Sequence, residues 1–243
     1  MTSDKELIAL QLPSDPDDFS GNLQRLLEHL ERQNEGSIIV APELVLSNFS
    51  FDRLNRAADF TEEAMPKLLK ATRKKTLCFT AITRAEGGFY NEALLLHDGR
   101  IFHRQPKVKL FRFGDEHRYY LPGDEEKIKI VEIEGLRFAI LICFEIRFCQ
   151  FWERIKGADI IMIPALWGEL RKSQFEAITR ALAIMNQAFV IAANSANDDM
   201  AKSSGIITPF GEERRDDTAE RIGLEADLRE IRKMRRYMDI GLR

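Results

Sequence analysis

Apolar runs bounded by turn-forming residues recur along the chain and alternate with stretches of helical period. ELIALQL (6–12) ends in SDPDD, and FSGNLQRLLEHLERQ then places Phe19, Leu23, Leu26, Leu27 and Leu30 on one helical face. SIIVAPEL (37–44) reads as a second buried strand that stops at Pro42, because proline cannot donate a ladder hydrogen bond. A helical segment near 62–75 leads to TLCFTAI (76–82), and NEALLLH (91–97) and RIFHRQ (100–105) flank the turn DGR as adjacent antiparallel strands. After a loop over 106–126 come KIKIVEI and LRFAILI, joined at Glu134-Gly135, then a helical spacing at 144, 148, 151, 152 and 155. The strand ADIIMIP (158–164), a helix near 171–187 and the strand AFVIAAN (188–194) follow, and SGIITPFGEE and AERIGLEADL read as a last strand pair. Strands joined partly by helices and partly by hairpins predict an α/β fold with mixed sheets covered by helices.

Composition narrows the class. The chain has 243 residues, 44% of them hydrophobic, and no Gly/Ser- or Pro-rich stretch divides it, which predicts one domain over 1–243. MTSDKELIALQLPSDPDD has no basic region leading into a long apolar run, and no segment reaches transmembrane length, so a soluble cytoplasmic protein with no membrane partner is expected. The three cysteines, 78, 143 and 149, are odd in number and lack CxxC spacing, which argues for free thiols and against a zinc site or disulfide framework. A net charge of −3 with interspersed signs gives no reason to expect nucleic acid as a partner.

Candidate chemistry centres on Cys143, placed where the strand LRFAILI meets the helical spacing that starts at Phe144. Unpaired N–H groups of a first helical turn favour a thiolate there, although cysteine is also a common core residue. A cysteine hydrolase acting on an amide or nitrile needs a group to take the thiol proton and hand it to departing ammonia, and a cation for the developing oxyanion. None of the histidines, 29, 97, 103 and 117, falls at a strand end suited to that work. A buried carboxylate and lysine do the same jobs, and Glu43, delivered at a strand end, and Lys107 fit them.

These segments, taken together, resemble the nitrilase superfamily of carbon–nitrogen hydrolases with its Glu–Lys–Cys triad. APEL (41–44) carries the Glu, PKVKLF (106–111) the Lys and LICFEIRF (141–148) the Cys, while EHRYYLPGD (116–124) matches a pattern whose acidic residue is a second active-site glutamate, here Glu116. Gln11, PALW (164–167), RALAIMNQAFVIAAN (180–194) and LEADL (224–228) also follow the pattern, so the likeness runs through almost the whole chain in unbroken order. The resemblance implies a four-layer α-β-β-α sandwich that commonly pairs into dimers, so a homodimer or higher homo-oligomer is expected. It also implies attack by Cys143 on a small-molecule amide, proton transfer by Glu43, and an oxyanion held by Lys107 and a backbone N–H near Phe144. Glu116 would orient water or substrate, a thioester would form, and neither a metal nor a cofactor would be needed. The segment CFEIRF looks closest to the ω-amidase-like branch, which implies a small linear carboxamide; an N-carbamoyl-amine hydrolase, a nitrilase and a catalytically silent nitrilase-like subunit are the other readings.

Departures from the pattern leave the triad in place: Lys109 stands where many relatives carry histidine, and Cys149-Gln150 where Pro-Glu is common. Lys107 is favoured over Lys109 by its register to Leu110, Cys149 reads as core filler, and Glu145 as local structure at the helix start. Trp167 and Arg147 read as pocket residues, with Arg171, Lys172 and Asn194 as further candidates for a substrate's remote carboxylate. The basic segment REIRKMRRYMDIGLR reads as a solvated or interfacial end.

Overall fold

The computed structural model of the protein describes residues 4–242. β1 (Asp4–Leu10) leads through α1 (Phe19–Glu31) to β2 (Ile38–Val40), and α2 (Leu54–Ala71) leads to β3 (Thr76–Ala85), β4 (Gly88–His97) and β5 (Arg100–Pro106). After the short α3 (Glu116–Tyr119) come β6 (Val131–Ile133), β7 (Leu136–Ile140), α4 (Cys149–Arg154), β8 (Ile160–Ala165), α5 (Lys172–Asn186) and β9 (Phe189–Asn194). The chain continues with β10 (Gly205–Ile207), β11 (Glu213–Arg215), β12 (Arg221–Asp227) and α6 (Arg229–Tyr237).

These strands form two six-stranded mixed sheets, ordered β12-β1-β2-β3-β4-β5 and β11-β10-β9-β8-β7-β6. In the first, β1, β2 and β3 are parallel to one another and β12, β4 and β5 are antiparallel to their neighbours. The second repeats that scheme, with β7, β8 and β9 parallel and β6, β10 and β11 antiparallel to theirs. The repeat is one of strand pairing, not of residue identity, and the sequence carries no visible internal repeat.

Alternation along the strands fixes the layers. Leu7, Ala9, Ile38 and Val40 pack against Ile140, Met162 and Ile191 of the other sheet, while Ile8, Leu10, Ile39 and Leu77 face Leu23, Leu26 and Leu30 of α1 and Leu68 of α2. Phe151 of α4 and Phe175 and Leu182 of α5 cover the outer face of the second sheet. The result is the α-β-β-α sandwich that the sequence implies. α1 starts where Asp18 accepts the Gly21 N–H at 2.8 Å, an N-cap interaction.

Several boundaries differ from expectation. α2 begins at Leu54, well before position 62, and runs through Pro66; that residue and Glu62, whose carbonyl loses its helical partner, are both exposed, so water replaces the missing bond. β10 and β12 are not partners. β10 lies between β9 and β11, whereas β12 crosses back to pair with β1 from Asp4↔Asp227 to Leu10↔Arg221. α6 is anchored by buried Ile231, Met234 and Arg235, whose guanidinium donates to Asp159 Oδ1 at 2.9 Å and the Ala158 carbonyl at 2.7 Å, and its remaining basic side chains face outward. No helix among the described residues is long and apolar enough to cross a membrane.

Candidate active site

β2, β5, β7 and β8 all deliver their C-terminal ends to one end of the sandwich, the edge where open α/β sheets place their ligands. Glu43 follows β2, Lys107 follows β5, Cys143 follows β7, and Leu166 and Trp167 follow β8. Glu43 is fixed by its own N–H, which donates to Ala165 O at 3.2 Å, and by the next residue, Leu44, whose N–H donates to Thr80 Oγ at 2.7 Å. Lys107 is held through its backbone, with its N–H on Asn91 O at 2.8 Å and its carbonyl accepting from Gly123 N at 2.9 Å.

The structure brings the sequence-derived group together. Lys107 Nζ lies 2.7 Å from Glu43 Oε1 and 2.7 Å from Glu116 Oε1, and all three side chains are buried. Glu43 Oε1 also accepts from Asn91 Nδ2 at 2.7 Å, and its Oε2 accepts from the Leu166 N–H at 3.0 Å. Glu116 Oε2 accepts from the Phe111 N–H at 3.0 Å, so a residue that reads in isolation as a solvated loop position is 1% exposed. Lys109, by contrast, points outward to Glu125 Oε1 at 2.7 Å.

Cys143 differs from expectation in its setting. A five-residue 3-10 turn, Cys143–Arg147, follows β7, Phe148 is extended, and α4 begins only at Cys149; the helical spacing therefore spans two short segments. The sulfur faces no full helix dipole. Burial and the nearby charge of Glu43 hold its thiol well above the ordinary cysteine range, against the opposing pull of Lys107. Burial disfavours charge on Lys107, but Glu116, Glu43 and Cys143 outweigh it and keep the ammonium protonated far above the usual range. Burial raises Glu116 as well, with Lys107 opposing and Glu43 adding to the rise. Cys149 is exposed, not core filler, because α4 turns it to solvent.

Around this group stands an aromatic and cationic rim. Phe144 packs on Phe111 with ring centroids 5.1 Å apart, the Arg171 guanidinium lies 5.3 Å above Phe111, and that of Arg147 lies 4.7 Å above the Trp167 ring. Trp167 is pinned by its N–H on Asn194 Oδ1 and by Nε1 on Arg171 O, each at 2.8 Å. Asn194 is fully buried in that support and Lys172 is paired with Asp217, which leaves Arg147 and Arg171 as the cations at the rim among those candidates. Asn91 and the Leu166 N–H are members of the site that sequence reading missed. The signal for Asn91 was an amide at the start of an otherwise apolar strand, which must find partners when buried.

A family model for carbon–nitrogen hydrolases matches residues 8–215, and the chain belongs to that family, the carbon–nitrogen hydrolases of the nitrilase superfamily. It is 30% identical over 196 residues to omega-amidase YafV of Escherichia coli, covering 76% of each chain. To the 2-oxoglutaramate amidase of Bacillus subtilis it is 28% identical over 235 residues, 91% of this chain and 90% of that one. Nit3 of Saccharomyces cerevisiae, a member of branch 10 of the nitrilase superfamily, superposes with a TM-score of 0.85 at 21% identity over 98% of this chain and 95% of its own. That likeness is one of fold.

Proposed function

We propose that this enzyme hydrolyses a small linear carboxamide to acid and ammonia through a thioester on Cys143. The observation that carries the reading is the buried Glu43–Lys107–Glu116 row, joined by 2.7 Å contacts, whose charges act on the Cys143 thiol. With the thiol protonated at rest, Glu43 takes its proton as Sγ attacks the carbonyl carbon. Lys107 has three donors; two are used by Glu43 and Glu116, and the third is available to the oxyanion. The Phe144 N–H, early in the 3-10 turn where a backbone donor has no acceptor within the turn, is the second oxyanion donor.

Glu43 then passes the proton to the departing nitrogen and ammonia leaves. Water, oriented by Glu116 and deprotonated by Glu43, attacks the thioester; the acid departs and the sulfur recovers a proton. Lys107 stays an ammonium throughout. Arg147, over Trp167, holds the carboxylate at the far end of the substrate, a reading supported by the relatives named omega-amidase and 2-oxoglutaramate amidase. We place residues 1–243 in one such domain, acting in the cytoplasm as a homodimer or higher homo-oligomer.

The test is ammonia release from ω-amides of dicarboxylic acids, neutral aliphatic amides, N-carbamoyl amines and nitriles, run beside Cys143→Ala. Release from the ω-amides alone, abolished in the variant, is the expected result. Preference for carbamoyl compounds or nitriles would replace the substrate class, and turnover retained by Cys143→Ala would overturn the mechanism.

A further inference from the structure

Glu145 is a fully buried carboxylate that the reaction above does not use, and it sits two residues beyond the nucleophile. Its Oε1 accepts from the Val108 N–H at 2.6 Å and its Oε2 from the Ile142 N–H at 2.8 Å. Val108 directly follows Lys107, and Ile142 directly precedes Cys143. One side chain therefore spans from the first sheet's β5 end to the second sheet's β7 end, tying the peptide that follows Lys107 to the residue that precedes Cys143.

The elbow it holds is strained. Cys143 has φ +47°, in the left-handed region that a residue with a Cβ adopts at a cost of about 1–3 kcal/mol unless its surroundings impose it. Glu145 imposes it by clamping across the turn onto Ile142: its carboxylate takes the Ile142 N–H, and its own N–H donates to Ile142 O at 2.9 Å. Remove the carboxylate and two backbone donors are left buried without it. The turn is then free to relax toward an unstrained φ, carrying the sulfur away from Lys107.

We infer that Glu145 is a positioning residue for this reaction, a carboxylate staple that sets the separation of Cys143 Sγ and Lys107 Nζ. The inference rests on the assignment of Cys143 and Lys107 as nucleophile and oxyanion cation. Glutamine at this position keeps the volume but turns an amide N–H₂ toward one of the two backbone donors, so one bond is lost and two donors face each other.

Glu145→Gln should lower kcat about a hundredfold, the scale of a misplacement near 1 Å, with KM little changed, since the rim that holds the remote end of the substrate is untouched. Iodoacetamide should also alkylate Cys143 at an altered rate in folded protein. A residue needed only for folding would lower the melting temperature and leave kcat per folded molecule unchanged; that result overturns the inference. Should Glu145→Gln fail to fold, Glu145→Asp keeps the charge and reaches only one of the two N–H groups, and parental kcat in that variant is equally fatal. Hydrogen exchange in the parent protein needs no variant: slow exchange at Val108 and Ile142 is expected, and fast exchange at both removes the staple. Cys143→Ala, run alongside, separates the levels, because turnover surviving there sinks the mechanism itself, whereas turnover lost there but retained in the Glu145 variants sinks only the staple.

Discussion

Asn91 Nδ2 and Lys107 Nζ converge on a single oxygen of Glu43, each 2.7 Å from Oε1. The other oxygen, Oε2, is left with one backbone donor, the Leu166 N–H at 3.0 Å. The carboxylate is thus anchored through one oxygen and lightly held through the one that would exchange a proton with sulfur and leaving nitrogen. Asn91→Leu removes an anchor without adding charge. Losing one buried hydrogen bond to a charged group is worth about 1.5–3 kcal/mol, so kcat/KM should fall roughly ten- to hundredfold, with the fold retained by circular dichroism. An unchanged kcat/KM would mean that Lys107 and the Leu166 N–H suffice to fix Glu43.

Glu43→Gln separates two roles of the same carboxylate. After burial, the negative charge of Glu43 is the largest cause holding the Cys143 thiol up, and Lys107 pulls it down. Glutamine removes the upward push and keeps the ammonium, so the thiol should titrate at lower pH than in the parent. Iodoacetamide alkylation followed against pH should show its midpoint moving down while amide turnover is lost. A midpoint that stays in place would mean that Glu43 does not face the sulfur.

Arg147→Ala is expected to act on one class of substrate. Loss of a charge-assisted contact to a remote carboxylate should raise KM for an ω-amide roughly ten- to hundredfold and leave a neutral amide such as propionamide unaffected. Equal loss for both would assign Arg147 to the support of Trp167, whose ring lies 4.7 Å beneath it.

The contribution of Glu145 to stability should fall as pH rises from about 4.5 to about 7. Burial raises Glu145 from an ordinary 4.5 to about 7, opposed by the Ile142 and Val108 N–H groups and by the charge of Lys107. A carboxyl whose folded value exceeds its unfolded one stabilises the fold below 4.5 and loses that contribution as pH climbs through about 7. Glu145→Gln has no such titration. Parent minus variant stability in urea should therefore be more favourable at pH 5 than at pH 8, by up to about 3 kcal/mol. Glu116 shifts in the same direction, and it, Lys107 and Cys143 are present in both proteins, so their contributions to the pH dependence cancel to first order; the charges of Glu43 and Lys109 are likewise common to both. A difference that does not vary with pH would place the Glu145 titration outside this range.

How far the chain could be read before folding depended on whether a residue's role follows from its own segment. Glu43 and Cys143 each follow a strand visible as an apolar run, Lys107 stands in the segment PKVKLF, and the order of those segments carried the family resemblance. Asn91 showed only a polar residue that must find a partner, not which one, since its contact with Glu43 joins positions 48 residues apart. Glu145 read as local structure, which is half of what it does: the Ile142 bond is local, but the Val108 bond crosses 37 residues. Apolar spacing after Cys143 could not distinguish one α-helix from a 3-10 turn followed by α4, because both turn Phe144, Phe148 and Phe151 inward. β12 is the clearest topological example. Its pattern shows a strand but carries no record of which sheet receives it, and it pairs with residues more than two hundred positions away.

Glu43 and Lys107 hang from one sheet, and Cys143 from the other. The distance between Cys143 and Glu43 therefore depends, beside the Glu145 contacts, on the thickness of the layer between the sheets, filled by Val40, Cys78, Ala93, Ile140 and Met162. Volume added or removed there acts as a gauge on the spacing of Cys143 from Glu43 and Lys107, although none of those side chains belongs to the buried charged group. Equal changes beneath α1 and α2, at Leu26 or Leu68, press on the outer face of one sheet and leave that spacing alone. Adaptation of this scaffold to other temperatures or substrates has a dial in its interior, remote from any residue a substrate touches.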